Sequence, residues 1–425
     1  MKKIRLPYHK GHIELELDEK YLQAVLVSKA HEYKPEKSER ELVEEALDNP
    51  VGSEKLEALI KDKKNMVIVT SDHTRPVPSG ITLPILLRRI RAANPDIEIT
   101  IVVATGTHRA STRDEMISKY GEEIVNKEKI IIHNARAKED MAPLGVLDTG
   151  LNVELNKAVL NTEFLMAEGF IEPHFFAGFS GGRKSIFPGV ASMECVMANH
   201  CAEYIDSHFV RTGILENNPI HMEAREIARL AKLQFILNVV IDNDKRIIKA
   251  FAGHFDEAHV VGCRFVRELS EVQASPADIV ITTNGGYPLD QNIYQAAKSM
   301  SAAEATCKEG GVIIDVAACI DGHGGESYYE TLKLAKSPEE VTRQILKRSR
   351  SETIEDQWES QIMARILEKH KIILVTDMCD KRIIEDMFMI HASSINEALG
   401  IARKYKGEDA KITVIPDGIS VIISK

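Results

Sequence analysis

The segment Glu172-Pro-His-Phe-Phe-Ala-Gly-Phe-Ser-Gly-Gly-Arg-Lys-Ser-Ile-Phe-Pro-Gly189 places a histidine, an arginine, a lysine, two serines and several glycines in one short loop. Glycine loses more freedom on ordering than any other residue, so such a loop is tolerated where backbone must approach a ligand closely. His174 titrates near neutral pH and suits proton transfer. Successive backbone N–H groups beside Arg183 favour an anion. Other short segments carry related chemistry. Asp72 and Arg75, in Ser71-Asp-His-Thr-Arg-Pro76, are either a local ion pair or a guanidinium offered to a carboxylate or phosphate. Ala104-Thr-Gly-Thr-His-Arg109 carries His108, and Ala198-Asn-His-Cys201 carries His200. Tyr294 and Lys298 stand at i, i+4 on one helix face, which is also the pattern of a plain exposed face.

Two familiar motifs nearly fit the loop. Gly178-Phe-Ser-Gly-Gly182 matches a nucleophile elbow, with Ser180 as nucleophile, Asp315 or Asp321 as the acid and His323 as the base. An elbow needs a helix directly after the serine, and Gly181-Gly182 with Pro188-Gly189 argues against one. A phosphate-binding P-loop needs glycine where Arg183 stands, and a helix from Lys184. Cys195 and Cys201 bracket His200 without a standard zinc spacing and read as packing residues. Trp358, the only tryptophan, reads as a core residue.

These residues sit at the ends of an alternating series of strands and helices. Met66–Thr70, Glu98–Ala104, Ile130–His133 and Phe164–Ala167 read as strands. A helix is expected over Leu83–Ala92, its proline near the start, and another capped by Ser111. A second series has strands at Asp278–Thr282, Gly311–Ala317, Ile372–Thr376 and Ile412–Ile415, with helices over Asp290–Thr306 and Ser394–Lys406. Such alternation argues for an α/β fold with mostly parallel sheets, whose ligands lie beyond the carboxyl ends of the strands. The helical segment to Ser270 and the break at Gln273-Ala-Ser-Pro276 divide an N-terminal α/β domain over 1–270 from a C-terminal one over 275–425, with the active site in the cleft between.

Bulk properties narrow the function. A net charge of -10 is a poor prior for nucleic-acid binding. No apolar run reaches membrane-span length, and no signal-peptide pattern opens the chain. Six scattered cysteines read as reduced thiols of a cytoplasmic protein.

Ser71-Asp-His-Thr-Arg-Pro-Val-Pro78, Ala104-Thr-Gly-Thr-His108, Glu172 to Lys184, Ala198-Asn-His200 and Tyr294-Gln-Ala-Ala-Lys298 together resemble the nickel-dependent lactate racemase family. The resemblance covers essentially the whole chain, in order and at family spacing. It implies two α/β domains and a nickel-pincer nucleotide, a pyridinium-3-thioamide-5-thiocarboxylic acid mononucleotide covalently attached to Lys184. His200 matches the protein ligand to nickel, and His108 and His174 the acid–base pair. Asp72, Arg75, Ser180, Gly181, Gly182, Tyr294 and Trp358 match positions around the cofactor. Arg75, Gln295 and Lys298 match positions that hold substrate. The implied reaction interconverts D- and L-lactate by hydride transfer through pyruvate, with cofactor maturation enzymes as partners. Chemistry makes a cofactor reasonable: general acid–base catalysis supplies about 10²- to 10⁴-fold, while enzymes typically need about 10⁶-fold or more. Relatives with this machinery can act on other 2-hydroxy acids, and a serine hydrolase using Ser180 is the remote alternative.

Overall fold

The computed structural model describes residues 1–242 and 244–424 and is built on two six-stranded sheets. The first has the order Ile247–His254, Leu233–Ile241, Leu165–Phe170, Asn65–Ser71, Glu98–Ala104, Lys129–Ile132. Only its first pair is antiparallel. The second has the order Ile390–Ala392, Lys371–Val375, Cys307–Val316, Ala277–Thr283, Ile412–Ile415, Leu22–Val25, and every pair in it is parallel. Central strands covered on both faces must be apolar throughout. Met66, Val67, Ile68 and Val69 are accordingly all buried, as are Val312, Ile313 and Ile314.

Strand Leu22–Val25 lies early in the chain yet pairs with Ile412–Ile415, so it leaves the N-terminal domain expected over 1–270 and joins the second sheet. The hairpin of Lys2–Tyr8 and Gly11–Leu17 goes with it, since Ile4, Leu6, Leu15 and Leu17 pack on Ile279, Val312 and Val414. The turn of that hairpin caps the strand ends of the second sheet. His9 N–H donates to Asp290 at 2.6 Å, and Tyr287 N–H donates to the His9 carbonyl at 2.8 Å. The two units share a core, in which Phe176, Ala202 and Ile205 of the first pack with Ala296, Trp358 and Ile362 of the second.

Two local expectations change. The first helix of the N-terminal sheet spans Ser79–Ala93, so Pro84 lies inside it and not near its start. Proline costs a helix hydrogen bond there. The early start is anchored by Ser79 and Thr82, whose hydroxyls donate to the fully buried Glu168 at 3.1 and 2.6 Å. The next helix, Arg113–Tyr120, is capped by Thr112 in a capping box with Glu115, not by Ser111. Ser111 instead lies 2.9 Å from His73 Nδ1. Among the described residues no helix is long and apolar enough to cross a membrane, and all six cysteines are free.

Candidate active site

In the first sheet the strand order reverses beside Asn65–Ser71: the following strands, Glu98–Ala104 and Lys129–Ile132, lie on one side of it and Leu165–Phe170 on the other. Loops leaving two strands on opposite sides of such a point separate and open a crevice. The crevice here is closed from above by helices Ile293–Glu304 and Gln357–Lys369 of the second unit. Asp72, Arg75, His108, His174, Ser180, Gly181, Lys184, His200, Tyr294, Gln295, Lys298 and Trp358 all line this one cleft. Gly182 does not: it lies beneath the loop, where its N–H donates to Asn238 Oδ1 at 2.7 Å.

Asp72 is buried and accepts hydrogen bonds from Thr74 N–H at 3.1 Å, Thr74 Oγ1 at 2.6 Å and His108 Nδ1 at 2.7 Å. Burial would raise its carboxyl, but the His108 hydrogen bond and charge, with Arg75 and Thr74, hold it down at about 2. An ionised carboxylate only accepts, so His108 Nδ1 carries a proton and Nε2 is the atom free to exchange one with a ligand. Arg75 Nη1 donates to Thr74 Oγ1 at 3.1 Å, tying the guanidinium to the same network. Asp72 and Arg75 are therefore linked through Thr74 and not as a direct ion pair.

His174 is fixed differently. Ala177 N–H donates to its Nδ1 at 3.2 Å, so the neutral ring carries its proton on Nε2, which lies 3.3 Å from Lys184 Nζ. His174 and Lys184 reach the cleft wall but lie deep in the protein. Burial, then the nearby cations Lys184, Lys298 and Arg75, push His174 well below the usual histidine range. Burial, then Arg183, Arg75 and Lys298, push Lys184 well below the usual lysine range. Lys184 thereby gives up its proton more readily than an exposed lysine, which makes the amine the better nucleophile.

The loop under Lys184 needs its glycines. Gly181 and Gly182 have φ of 76° and 54°. A Cβ on Gly181 would stand 2.7 Å from the Phe170 carbonyl, and one on Gly182 would stand 2.6 Å from the His259 ring. A single 3-10 turn, Gly182–Ser185, follows, so no elbow helix forms. Ser180 Oγ donates to the Phe170 carbonyl at 3.1 Å and accepts from Glu172 N–H at 2.9 Å. It is spent on backbone and is no nucleophile. Its supposed partner His323 bonds within its own loop, at Gly325. Arg183 also departs from expectation. It is buried and donates to the carbonyls of Ala177 and Gly181 at 2.8 and 3.2 Å, so it braces the loop and offers nothing to an anion.

His200 caps the C-terminus of helix Met193–Asn199 and is 4% exposed. Its ring packs edge-on against Phe176 and Trp358, with centroids 5.1 and 5.0 Å apart. Burial, then the Lys184 charge, lowers it to about 3, so the imidazole is neutral. Its Nδ1 is buried without a hydrogen-bond partner. Trp358 Nε1 donates to Tyr294 Oη at 3.1 Å, and Tyr294 donates to Asp356 at 3.2 Å. Lys298 Nζ donates to Gln295 Oε1 at 2.5 Å. Burial, then Arg75, lowers Lys298.

Three contributors were not among the residues singled out from the sequence. Thr74 joins Asp72 to Arg75. Lys119 donates to the Arg75 carbonyl from a neighbouring helix. Glu359, fully buried with neither carboxylate oxygen hydrogen-bonded, is raised by burial against the pull of Lys298. Thr74 was readable as the residue between two chosen ones; the others have no local signal. Among the described residues no three His, Cys, Asp or Glu side chains converge on a metal position.

Residues 8–213 match the lactate racemase N-terminal domain, and residues 272–423 the lactate racemase C-terminal domain. The lactate racemase of Thermoanaerobacterium thermosaccharolyticum is 53% identical over 423 residues, spanning 100% of this chain and 99% of that protein. That of Lactiplantibacillus plantarum is 53% identical over 420 residues, spanning 99% of each. The structure of the lactate racemase apoprotein from T. thermosaccharolyticum superposes with a TM-score of 0.97 at 52% identity over the whole of both chains. A Thermotoga maritima protein at 18% identity shares the fold, with a TM-score of 0.67 over 91% of this chain and 98% of its own.

Proposed function

The chain belongs to the lactate racemase family and is an isomerase, and from that premise we propose that this cleft interconverts D- and L-lactate with a nickel-pincer nucleotide carried on Lys184. The residues fit such a group. A buried amine that parts readily with its proton suits acylation, and a neutral buried imidazole with an unpartnered nitrogen suits nickel. With no cluster of protein ligands among the described residues, His200 would be the one protein donor, the nucleotide supplying the rest. When bound, the group would supply a two-electron acceptor for the hydrogen on the substrate's C2, chemistry that no side chain in the cleft offers.

The side chains would do the remaining work. Arg75 and Lys298 bring two cations to one cleft and would hold the lactate carboxylate. Gln295 fixes the Lys298 ammonium through its 2.5 Å hydrogen bond. His108, with Nδ1–H committed to Asp72, would take the hydroxyl proton on Nε2. His174 would return a proton to the oxygen on the opposite face from its imidazolium form, the neutral ring with Nε2–H serving only to hydrogen-bond that oxygen. The single observation that carries this reading is that two histidines line one cleft, His108 held by a buried carboxylate and His174 by a backbone N–H.

The test is chiral chromatography of holoprotein incubated with D-lactate and with a panel of other 2-hydroxy acids. Appearance of L-lactate supports the proposal. Turnover of another acid but not lactate moves the substrate within the same chemistry, and full racemisation surviving in both His108→Ala and His174→Ala refutes the two-histidine scheme. Intact-mass analysis of active protein should show an adduct on Lys184.

A further inference from the structure

Outside the cleft, the most heavily bonded buried carboxylate joining the two units is Glu223, on helix Pro219–Leu230 and 4% exposed. Arg350, from the second unit, donates to both of its oxygens at 2.7 and 2.6 Å. Asn199 Nδ2 and Tyr204 Oη donate to it at 2.8 and 2.9 Å, and Thr149 Oγ1 at 2.5 Å. Arg350 also donates through Nε to the Ala198 carbonyl at 2.8 Å and lies over the Tyr204 ring, 5.0 Å from its centroid. Ala198 and Asn199 are the last two residues before His200.

We propose that Arg350 and Glu223 are positioning residues for His200. The guanidinium reaches across from the second unit and grips the end of helix Met193–Asn199, setting where the imidazole stands. Arginine suits this because its three nitrogens meet separate acceptors, Nη2 on both Glu223 oxygens, Nε on the Ala198 carbonyl and Nη1 on the Thr149 carbonyl at 3.2 Å, a spread that a point-like ammonium cannot match. One carboxylate is thus bonded both to the helix that ends at His200 and to the opposite unit, so the seating of the second unit bears on where His200 stands. The exposed pair Arg136–Glu355 also bridges the units, at 2.6 Å, but neither side chain bonds Ala198 or Asn199.

The effect on catalysis rests on His200 acting as the nickel donor; the effect on its placement does not. Trp358 is the only tryptophan and packs on His200, so its emission reports that placement in apoprotein. Glu223→Gln, Arg350→Ala and Arg350→Lys should each change Trp358 emission, while Lys127→Ala, which removes an exposed pair with Glu123, leaves it unchanged. In holoprotein, loss of a group orienting a metal ligand costs about 10- to 100-fold in affinity or activity. Glu223→Gln should therefore lower nickel retention and kcat by that factor, with KM for lactate within about two-fold, and Arg350→Lys should recover part of the loss. Unchanged emission in folded Glu223→Gln and Arg350→Ala overturns the proposal, as does full nickel retention in both. If His200→Ala itself retains nickel, the reading of His200 fails instead, and the emission result still decides the positioning role.

Discussion

Replacing Asp72 with asparagine changes one atom type in a site whose geometry depends on charge. The carboxylate accepts three hydrogen bonds, and the interactions holding it down outweigh its burial by enough to take the group from 3.8 to about 2. At 1.36 kcal/mol for each pKa unit, that is about 2–3 kcal/mol in favour of the ionised form. Asparagine keeps the shape but presents an NH2 that competes for the position facing His108. If the amide nitrogen faces the ring, Nδ1 becomes the acceptor, the proton moves to Nε2, and the base is lost. Removing a positioned general base typically costs about 10²- to 10⁴-fold. Asp72→Asn holoprotein should therefore lose kcat by about that factor in chiral assays from either enantiomer, with KM changed little, since Arg75 and Lys298 remain. Because Asp72 acts through His108, the double variant Asp72→Asn/His108→Ala should be hardly worse than His108→Ala alone. A kcat within about three-fold of the parent, or losses that multiply in the double variant, would refute the assignment.

Lys184→Gln removes a cation beside His174 and imitates the uncharged, acylated side chain; the His174 titration followed by imidazole NMR should move up toward the ordinary histidine range, and no movement would separate the two groups. Ser180→Ala should leave racemisation intact while lowering stability by about 1–3 kcal/mol, the cost of orphaning buried partners, as read by urea unfolding; abolished turnover in well-folded protein would return Ser180 to the chemistry. His133 is lowered by burial to about 4, below its unfolded value near 6.5, so its contribution is complete above pH 6.5 and is lost as pH falls. His133→Gln should consequently lose about 2 kcal/mol less stability than the parent between pH 7 and 5, and identical losses would contradict the buried neutral histidine.

The elements were legible where local chemistry dictates them. Ser394 caps a helix running to Lys406, and Ile412–Ile415 is a strand, as hydrophobic pattern and cap chemistry require. The loops carrying Asp72, His108 and Lys184 were legible as strand ends rich in polar groups and glycine. What no local pattern encodes is adjacency. Nothing in Leu22–Val25 says that it pairs with a strand nearly 400 residues away, because a short apolar run fits any sheet edge equally well. Nor does Arg183 reveal its direction. A guanidinium beside Gly-Gly reads as an anion ligand until Ala177 and Gly181 turn their carbonyls toward it. The same holds for Lys119, Glu223, Glu359 and Arg350, each an ordinary charged residue of a helix or turn in the sequence. These misses share a physical cause: the motif residues meet the ligand, so their types are set by its chemistry, whereas the supporting residues meet each other, so their types make sense only once the chain is folded. The strand order completes the point. The reversal beside Asn65–Ser71 separates the Asp72 loop from the Lys184 loop and leaves room between them, and the second unit then seats Tyr294 and Lys298 over that gap. Acid–base geometry in this cleft is therefore a property of two sheets and their shared core, and substitutions in that support should change kcat without touching a residue that meets substrate.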